Sequence, residues 1–176
     1  MRSWGGGVYA TAHLTGEFVL RSGQVAAEYF DKYRFEADPL LLDAIAAAMV
    51  PLVQAETEVL AGLELGGIPV VTALGRRTGL PCAFVRKQAK PYGTRRLAEG
   101  AQTAGRRVTV VEDVITTGGQ VVLSTEQLRA QGAQITDVLC VINRNQGTPE
   151  SLTDAGLTLQ ALFTAEDLAQ YATTAS

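Results

Sequence analysis

The segment from Val108 to Gln120, VTVVEDVITTGGQ, constrains this chain more than any other, because it joins a β-branched run to two carboxylates and then to a turn of hydroxyls and glycines. Val108, Val110 and Val111 have the character of a strand buried on both faces of a parallel sheet. Glu112 and Asp113 should then emerge at its carboxyl end, where open α/β sheets bind their ligands. Thr116, Thr117, Gly118 and Gly119 follow, offering backbone N–H groups and hydroxyls to an anion at the start of the next helix. Acceptors suited to a sugar diol therefore stand beside donors suited to a phosphate, and a phosphorylated ribose satisfies both.

The remaining chain alternates strand and helix patterns, which predicts an α/β fold with a mainly parallel sheet covered on both faces. After a glycine-rich start, GEFVLRSG and AAEYFDKYRF read as a short antiparallel pair forming a small hood over about residues 1–37. Asp38 and Pro39 supply an N-cap and first helical position for LLLDAIAAAMV, apolar on nearly every face and expected to be buried up to Pro51. TEVLAGL is a predicted strand, ELGG a turn and IPVVTALGRRTG a helix; CAFVR is the next strand. KQAKPYGTRRLAEGAQTAGRR reads as one long polar loop, a length that usually marks function. The helix after the acidic pair places Val121, Thr125 and Leu128 on one face before Gly132 at its C-cap. ITDVLCVI and LTLQALFT are further strands, and Thr164 caps a last helix, AEDLAQY.

With 176 residues the chain is read as a single domain, 1–176, that needs no cross-links. Cys82 and Cys140 lie in apolar surroundings and are expected to be reduced core residues, which argues against a disulfide framework or a metal site. A net charge of -3 gives no global attraction to nucleic acid, and no apolar run is long enough to span a membrane. The amino terminus lacks the pattern of a signal peptide, so a cytoplasmic location is expected. His13, the sole histidine, is far in sequence from every motif and is read as structural as readily as catalytic. Gly5, Gly7 and Ala10 formally match a dinucleotide fingerprint, but no strand can precede them.

A strand followed by acids and a glycine turn also occurs in receiver domains and flavin-binding folds. The residue order EDVITTGG is more specific and resembles the phosphoribosyl-pyrophosphate signature of type I phosphoribosyltransferases. The resemblance implies that Glu112 and Asp113 hold the ribose hydroxyls. It gives Thr116, Thr117, Gly118, Gly119 and Gln120 to the phosphate, and counts Val114 and Ile115 among the residues binding phosphoribosyl pyrophosphate. VRKQAKPYG, with Arg86, Lys87, Lys90 and Tyr92, looks like the mobile loop of orotate phosphoribosyltransferases, whose cations stabilise the departing pyrophosphate. FVLRSGQ with EYFDKY, GLELGGIPV and VINRNQG resemble three further segments of that family, so the likeness runs from about Gly16 to Gly147. By it, Arg144 pairs with the orotate carboxylate, a task suited to a planar bidentate donor. Thr116 also touches the pyrimidine, and Arg21, Tyr29, Phe30 and Lys32 line the site.

Several positions depart from the pattern. Tyr92 stands where the loop often has histidine, Gly66 where some members have lysine, and Asn143 where an aspartate commonly precedes the arginine. The amino terminus also reads as short by part of a helix. The family resemblance implies transfer of phosphoribose to orotate, giving orotidine 5-monophosphate and pyrophosphate in pyrimidine synthesis. It further implies Mg²⁺ held without direct side-chain ligation, and a homodimer in which Arg86, Lys90 and Tyr92 act across the interface while Lys87 serves its own subunit. Two alternatives stay open. One is a phosphoribosyltransferase for another base, for which Arg144 would be unnecessary; the other is a nucleotide-sensing regulator, which would not need the cation loop.

Overall fold

The computed structural model describes residues 2–19, 23, 25–88 and 96–174. The glycine-rich start is a helix, α1 (Arg2–Ala12), which the sequence pattern did not predict. Its glycines weaken a helix by about 1 kcal/mol each, but Val8 and Ala12 are fully buried, so packing outweighs propensity. The expected antiparallel pair follows as β1 (His13–Val19) and β2 (Val25–Phe30). Asp31 caps α2 (Lys32–Ala37) by accepting from the Tyr33 N–H at 3.1 Å. Asp38 caps α3 (Pro39–Met49), as read from the sequence, accepting from the Leu40 and Leu41 amides. That helix is buried on one face only: Leu41, Ile45, Ala46 and Met49 face inward, while Leu40 is 82% exposed. A 3-10 turn over Val50–Leu52, carrying Pro51, ends it.

The main unit then runs β3 (Val59–Leu63), α4 (Gly67–Thr78), β4 (Cys82–Val85), β5 (Ala98–Gly100), β6 (Arg107–Ile115), α5 (Gly119–Ala130), β7 (Gln134–Asn143), α6 (Glu150–Asp154), β8 (Thr158–Thr164) and α7 (Ala165–Thr174). The six strands lie in the order β5-β4-β3-β6-β7-β8. All pairs are parallel except β4 with β5, where the expected polar loop returns as an antiparallel edge strand.

Alternation along the strands splits the core between two faces. Val59, Ala61, Leu63, Val108, Val110, Val138 and Cys140 pack with Val121 and Leu128 of α5 and Leu152 of α6. On the other face Leu60, Val111, Leu139 and Val141 meet Val8, Phe35, Ile45, Met49, Val70, Leu74 and Leu168, from α1, α2, α3, α4 and α7. The start of α4 presses directly onto the sheet: a Cβ on Gly67 would lie 2.5 Å from the Val111 carbonyl oxygen, so glycine permits this approach.

The far end of α5 is fastened by Arg129, whose guanidinium donates to the Ile135 oxygen at 3.1 Å and the Ala155 oxygen at 2.8 Å. Thr164 and Asp167 form a reciprocal cap at the start of α7, with Asp167 Oδ2 accepting from the Thr164 N–H at 2.7 Å and Thr164 Oγ1 from the Asp167 N–H at 3.1 Å. Cys82 and Cys140 are free thiols, and Cys140 is fully buried, which pushes its pKa up. On the surface Arg77 pairs with Asp43, and Arg106 and Arg107 pair with Glu58.

Candidate active site

The strand order reverses direction of growth between β3 and β6, and the crevice outside their carboxyl ends is where such sheets bind ligands. Three segments converge there. From β3 comes the turn Glu64–Gly66, whose Glu64 N–H donates to the Val85 oxygen at 2.8 Å. From β4 come Arg86 and Lys87; the Lys87 N–H donates to Glu64 Oε1 at 2.6 Å, and the Arg86 N–H to the Leu97 oxygen at 2.9 Å. From β6 come Glu112, Asp113 and the turn into α5.

Glu112, Val114, Ile115, Thr116, Thr117, Gly118, Gly119 and Gln120 line a single cavity of about 90 Å³. Thr116 and Thr117 are exposed, and Gly118 turns the chain into α5 with φ 76°, in the left-handed region that favours glycine. No side chain caps α5, so its first N–H groups keep their capacity for an anion. The turn is braced from behind, because Ser151 Oγ donates to the Thr117 oxygen at 2.7 Å.

One expectation is corrected. Glu112 and Asp113 were to emerge at the carboxyl end of the strand, but β6 continues to Ile115, so both lie within it, Glu112 Oε1 accepting from the Asp113 N–H at 3.0 Å. Glu112 is partly buried at the cavity, whereas Asp113 is fully buried beneath α2. Asp113 Oδ1 accepts from the Val114 N–H at 2.7 Å, and Lys32 Nζ lies 2.6 Å from Oδ2. The interior it enters is charged rather than apolar, since Glu36 of α2 closes the same space.

The charges in this cluster shift one another. Burial, reinforced by the neighbouring Asp113, pushes the Glu36 carboxyl up to about 9. Burial also raises Glu112 well above the usual carboxylate range, again with Asp113 adding to it. Burial alone would raise Asp113 too, but hydrogen bonds with Glu112, Glu36 and Lys32 hold it below its ordinary value. Lys32 is opposed by burial, yet Asp113 beside it raises its pKa overall. Asp113 is thus the anion of the group, with Lys32 as its counter-ion.

On the far side of the turn, the Arg144 N–H donates to the Ile115 oxygen at 2.9 Å, which sets Arg144 next to Thr116 with an exposed side chain. Asn143, buried beneath it, donates from Nδ2 to the Gly147 oxygen at 2.8 Å and accepts from the Asn145 N–H at 3.1 Å. Asn145 in turn donates to the Thr116 oxygen. An aspartate at 143 could not make the Gly147 bond. Phe30 is half-buried against the core, and Lys32 sits at Asp113 rather than in the cavity with Thr116. Tyr29 pairs with Leu14 through the backbone. Arg21, Lys90, Tyr92 and the Tyr29 side chain lie outside the described residues.

Glu36, Glu64, Asn145 and Ser151 join the site without having been singled out in the sequence. Glu64 and Asn145 lie in the segments GLELGGIPV and VINRNQG, and Glu36 lies four residues after Lys32 on one helix face. A larger hollow of about 340 Å³, lined by residues including Thr57, Arg107, Thr109 and Asp137, lies at the amino ends of the strands, away from this chemistry. Among the described residues no group of three His, Cys, Asp or Glu could hold a metal ion, and no helix is long and apolar enough to cross a membrane.

Comparison with known proteins matches this geometry. A model of the phosphoribosyl transferase domain covers residues 33–163. The chain is 53% identical to the orotate phosphoribosyltransferase of Nocardioides sp. over 90% of its own length and 89% of that protein. It is 44% identical to the enzyme of that name from Halobacterium salinarum, covering 90% of each. The crystal structure of Mycobacterium tuberculosis orotate phosphoribosyltransferase in complex with 5-phospho-alpha-D-ribosyl 1-diphosphate superimposes with a TM-score of 0.81 at 27% identity, over 96% of this chain and 98% of that one. A sheet whose switch point carries the acidic strand end, the threonine-glycine turn and the arginine beside it, together with these likenesses, makes this chain a member of the orotate phosphoribosyltransferase family.

Proposed function

We propose that this chain, as a single domain, transfers the 5-phosphoribosyl group from phosphoribosyl pyrophosphate to orotate, releasing pyrophosphate and forming orotidine 5-monophosphate in pyrimidine synthesis. The observation that carries the reading is the shared cavity of Glu112 and the Thr116–Gln120 turn, with Arg144 fixed beside Thr116 by its backbone bond to Ile115. Glu112 would accept from the ribose hydroxyls, while the turn and the start of α5 would hold the 5-phosphate. Asp113 would act with them from below, through its grip on the strand end. Arg144 would pair with the orotate carboxylate, with Thr116 and Phe30 bounding the pyrimidine side together with Arg21 and Tyr29, while Lys32 would serve from its place at Asp113.

In the reaction the bond from the anomeric carbon to the pyrophosphate oxygen breaks, its electron pair leaving with the pyrophosphate. A ring nitrogen of orotate then bonds to that carbon and gives up its proton, which goes to the pyrophosphate or to water. Charge develops on the leaving group and the sugar, so the protein needs positioned donors and exclusion of water rather than a nucleophile. Arg86 and Lys87, held against the Glu64 turn, stand at the base of the loop that would supply Lys90 and Tyr92.

The donor set suits a cation carried by substrate. Mg²⁺ would be held through the bound substrate, with Glu112 and the turn fixing the sugar that carries it. Bound there, it would neutralise the diphosphate as it departs. The working unit is a homodimer in the cytoplasm, with Arg86, Lys90 and Tyr92 serving the neighbouring site and Lys87 its own.

The test is consumption of base by the protein with Mg²⁺ and phosphoribosyl pyrophosphate, comparing orotate, uracil and a purine. Orotate alone should be consumed. Consumption of a purine would replace the substrate assignment, and consumption of none would leave a nucleotide-sensing regulator.

A further inference from the structure

Beneath the hood the carboxyl groups of Glu36 and Asp113 meet, with one cation, Lys32, paired to Asp113. Asp113 Oδ2 and Glu36 Oε1 are both buried, and apart from the Lys32 ammonium at Asp113 no protein N–H or O–H among the described residues reaches either. They converge on the backbone of Gly66, where a Cβ would stand 1.8 Å from Asp113 Oδ2 and 2.8 Å from Glu36 Oε1. Lys32, one turn before Glu36 on α2, reaches the same Asp113 oxygen. Two adjacent buried carboxylates with a single ammonium, paired to Asp113, are not stable as a pair of anions, so a proton must lie between them.

We propose that Glu36 is a positioning residue of the ribose-phosphate site: it donates a shared proton to Asp113 and, with Lys32, locks the end of β6 beneath the hood so that Glu112 faces the sugar. The inference rests on the functional reading above and deepens it. Three segments meet at this junction, namely α2, the Glu64–Gly66 turn and β6, so its integrity sets the spacing of the sugar and pyrophosphate sides. The groups facing Glu36 are Asp113 from β6, and Lys32 and Asp31 from its own helix and cap; Glu112 lies next along β6. Because its folded value is pushed up to about 9, Glu36 contributes stability that is complete below its ordinary value of 4.5 and lost as pH rises through about 9.

The experiment compares wild type, Glu36→Gln and Glu36→Ala in two measurements over roughly pH 6 to pH 10. The first is steady-state kinetics with Mg²⁺, phosphoribosyl pyrophosphate and orotate; the second is thermal unfolding with no substrate. Glutamine keeps a donor without a titrating proton. At about pH 7, Glu36→Gln should stay within about threefold of wild type in kcat/KM for phosphoribosyl pyrophosphate, whereas Glu36→Ala should lose about tenfold or more. Wild-type activity and Tm should both fall as pH approaches about 9, and the glutamine variant should lack that fall. Parallel Tm curves for wild type and Glu36→Gln would overturn the shared proton, and equal loss of activity in both variants at neutral pH would overturn the positioning role. A wild-type protein that consumes no orotate would refute the functional reading instead, while the thermal curves would still decide the proton.

Discussion

Gly66 and Asp113 approach so closely that a methyl group on Gly66 would stand 1.8 Å from Asp113 Oδ2 and 2.3 Å from its Cγ. Asp113 cannot withdraw without leaving Lys32 and the Val114 amide, so the contact is rigid on both sides. Gly66→Ala should therefore cost about 2–3 kcal/mol, at the upper end of overpacking penalties. Urea unfolding measures that cost, and kinetics on surviving protein should show a higher KM for phosphoribosyl pyrophosphate than for orotate relative to wild type. Unchanged unfolding would mean that the turn moves freely.

Asn143 holds its turn through an amide that donates to Gly147 and accepts from Asn145. Asn143→Asp removes the donor and sets a carboxylate against a carbonyl in a buried position, at a cost of about 1–3 kcal/mol. Thermal unfolding should show the loss. Because Arg144 follows directly, KM for orotate should rise as well, and an unaltered KM would separate the turn from recognition of the base.

Arg144 is exposed beside Thr116, tethered by its backbone, with no side-chain partner among the described residues. Arg144→Ala should weaken orotate by about ten- to a hundredfold in kcat/KM, with KM for phosphoribosyl pyrophosphate nearly constant. Arg144→Lys should recover little, since an ammonium cannot form the paired contacts of a guanidinium. Equal loss for both substrates would argue for a role in the fold of the turn.

Lys90 belongs to the loop proposed to act as the pyrophosphate leaves. Lys90→Ala should lower kcat by about a hundredfold while raising KM for phosphoribosyl pyrophosphate only a few fold, because a contact made chiefly in the transition state appears in kcat. Steady-state kinetics with orotate saturating would read this directly, and an unchanged kcat would remove Lys90 from the chemistry.

The β6 motif was legible because every part of it is local. β-branched residues mark the strand, and Gly118 marks the turn that needs a positive φ. What escaped was set by tertiary contact. Gly5, Gly6 and Gly7 hid α1, whose helix is held by the burial of Val8 and Ala12. Ala98–Gly100 lacks β-branched residues and is a strand only because β4 has a free edge for it. The placing of Glu112 and Asp113 within the strand followed from a β6 that runs on to Ile115, four residues past the apolar run ending at Val111. The meeting of Lys32 and Glu36 with Asp113 joins segments far apart in the chain, and neither helical spacing nor strand alternation encodes such an encounter.

The guanidinium of Arg129 gives α5 a fixed heel. By gripping carbonyls from two other segments, it denies the helix any pivot about its distal end. The opposite tip, with its open amides, is therefore aimed by a fastening several turns away, and loosening that anchor would blur phosphate capture without touching a single group that meets the substrate.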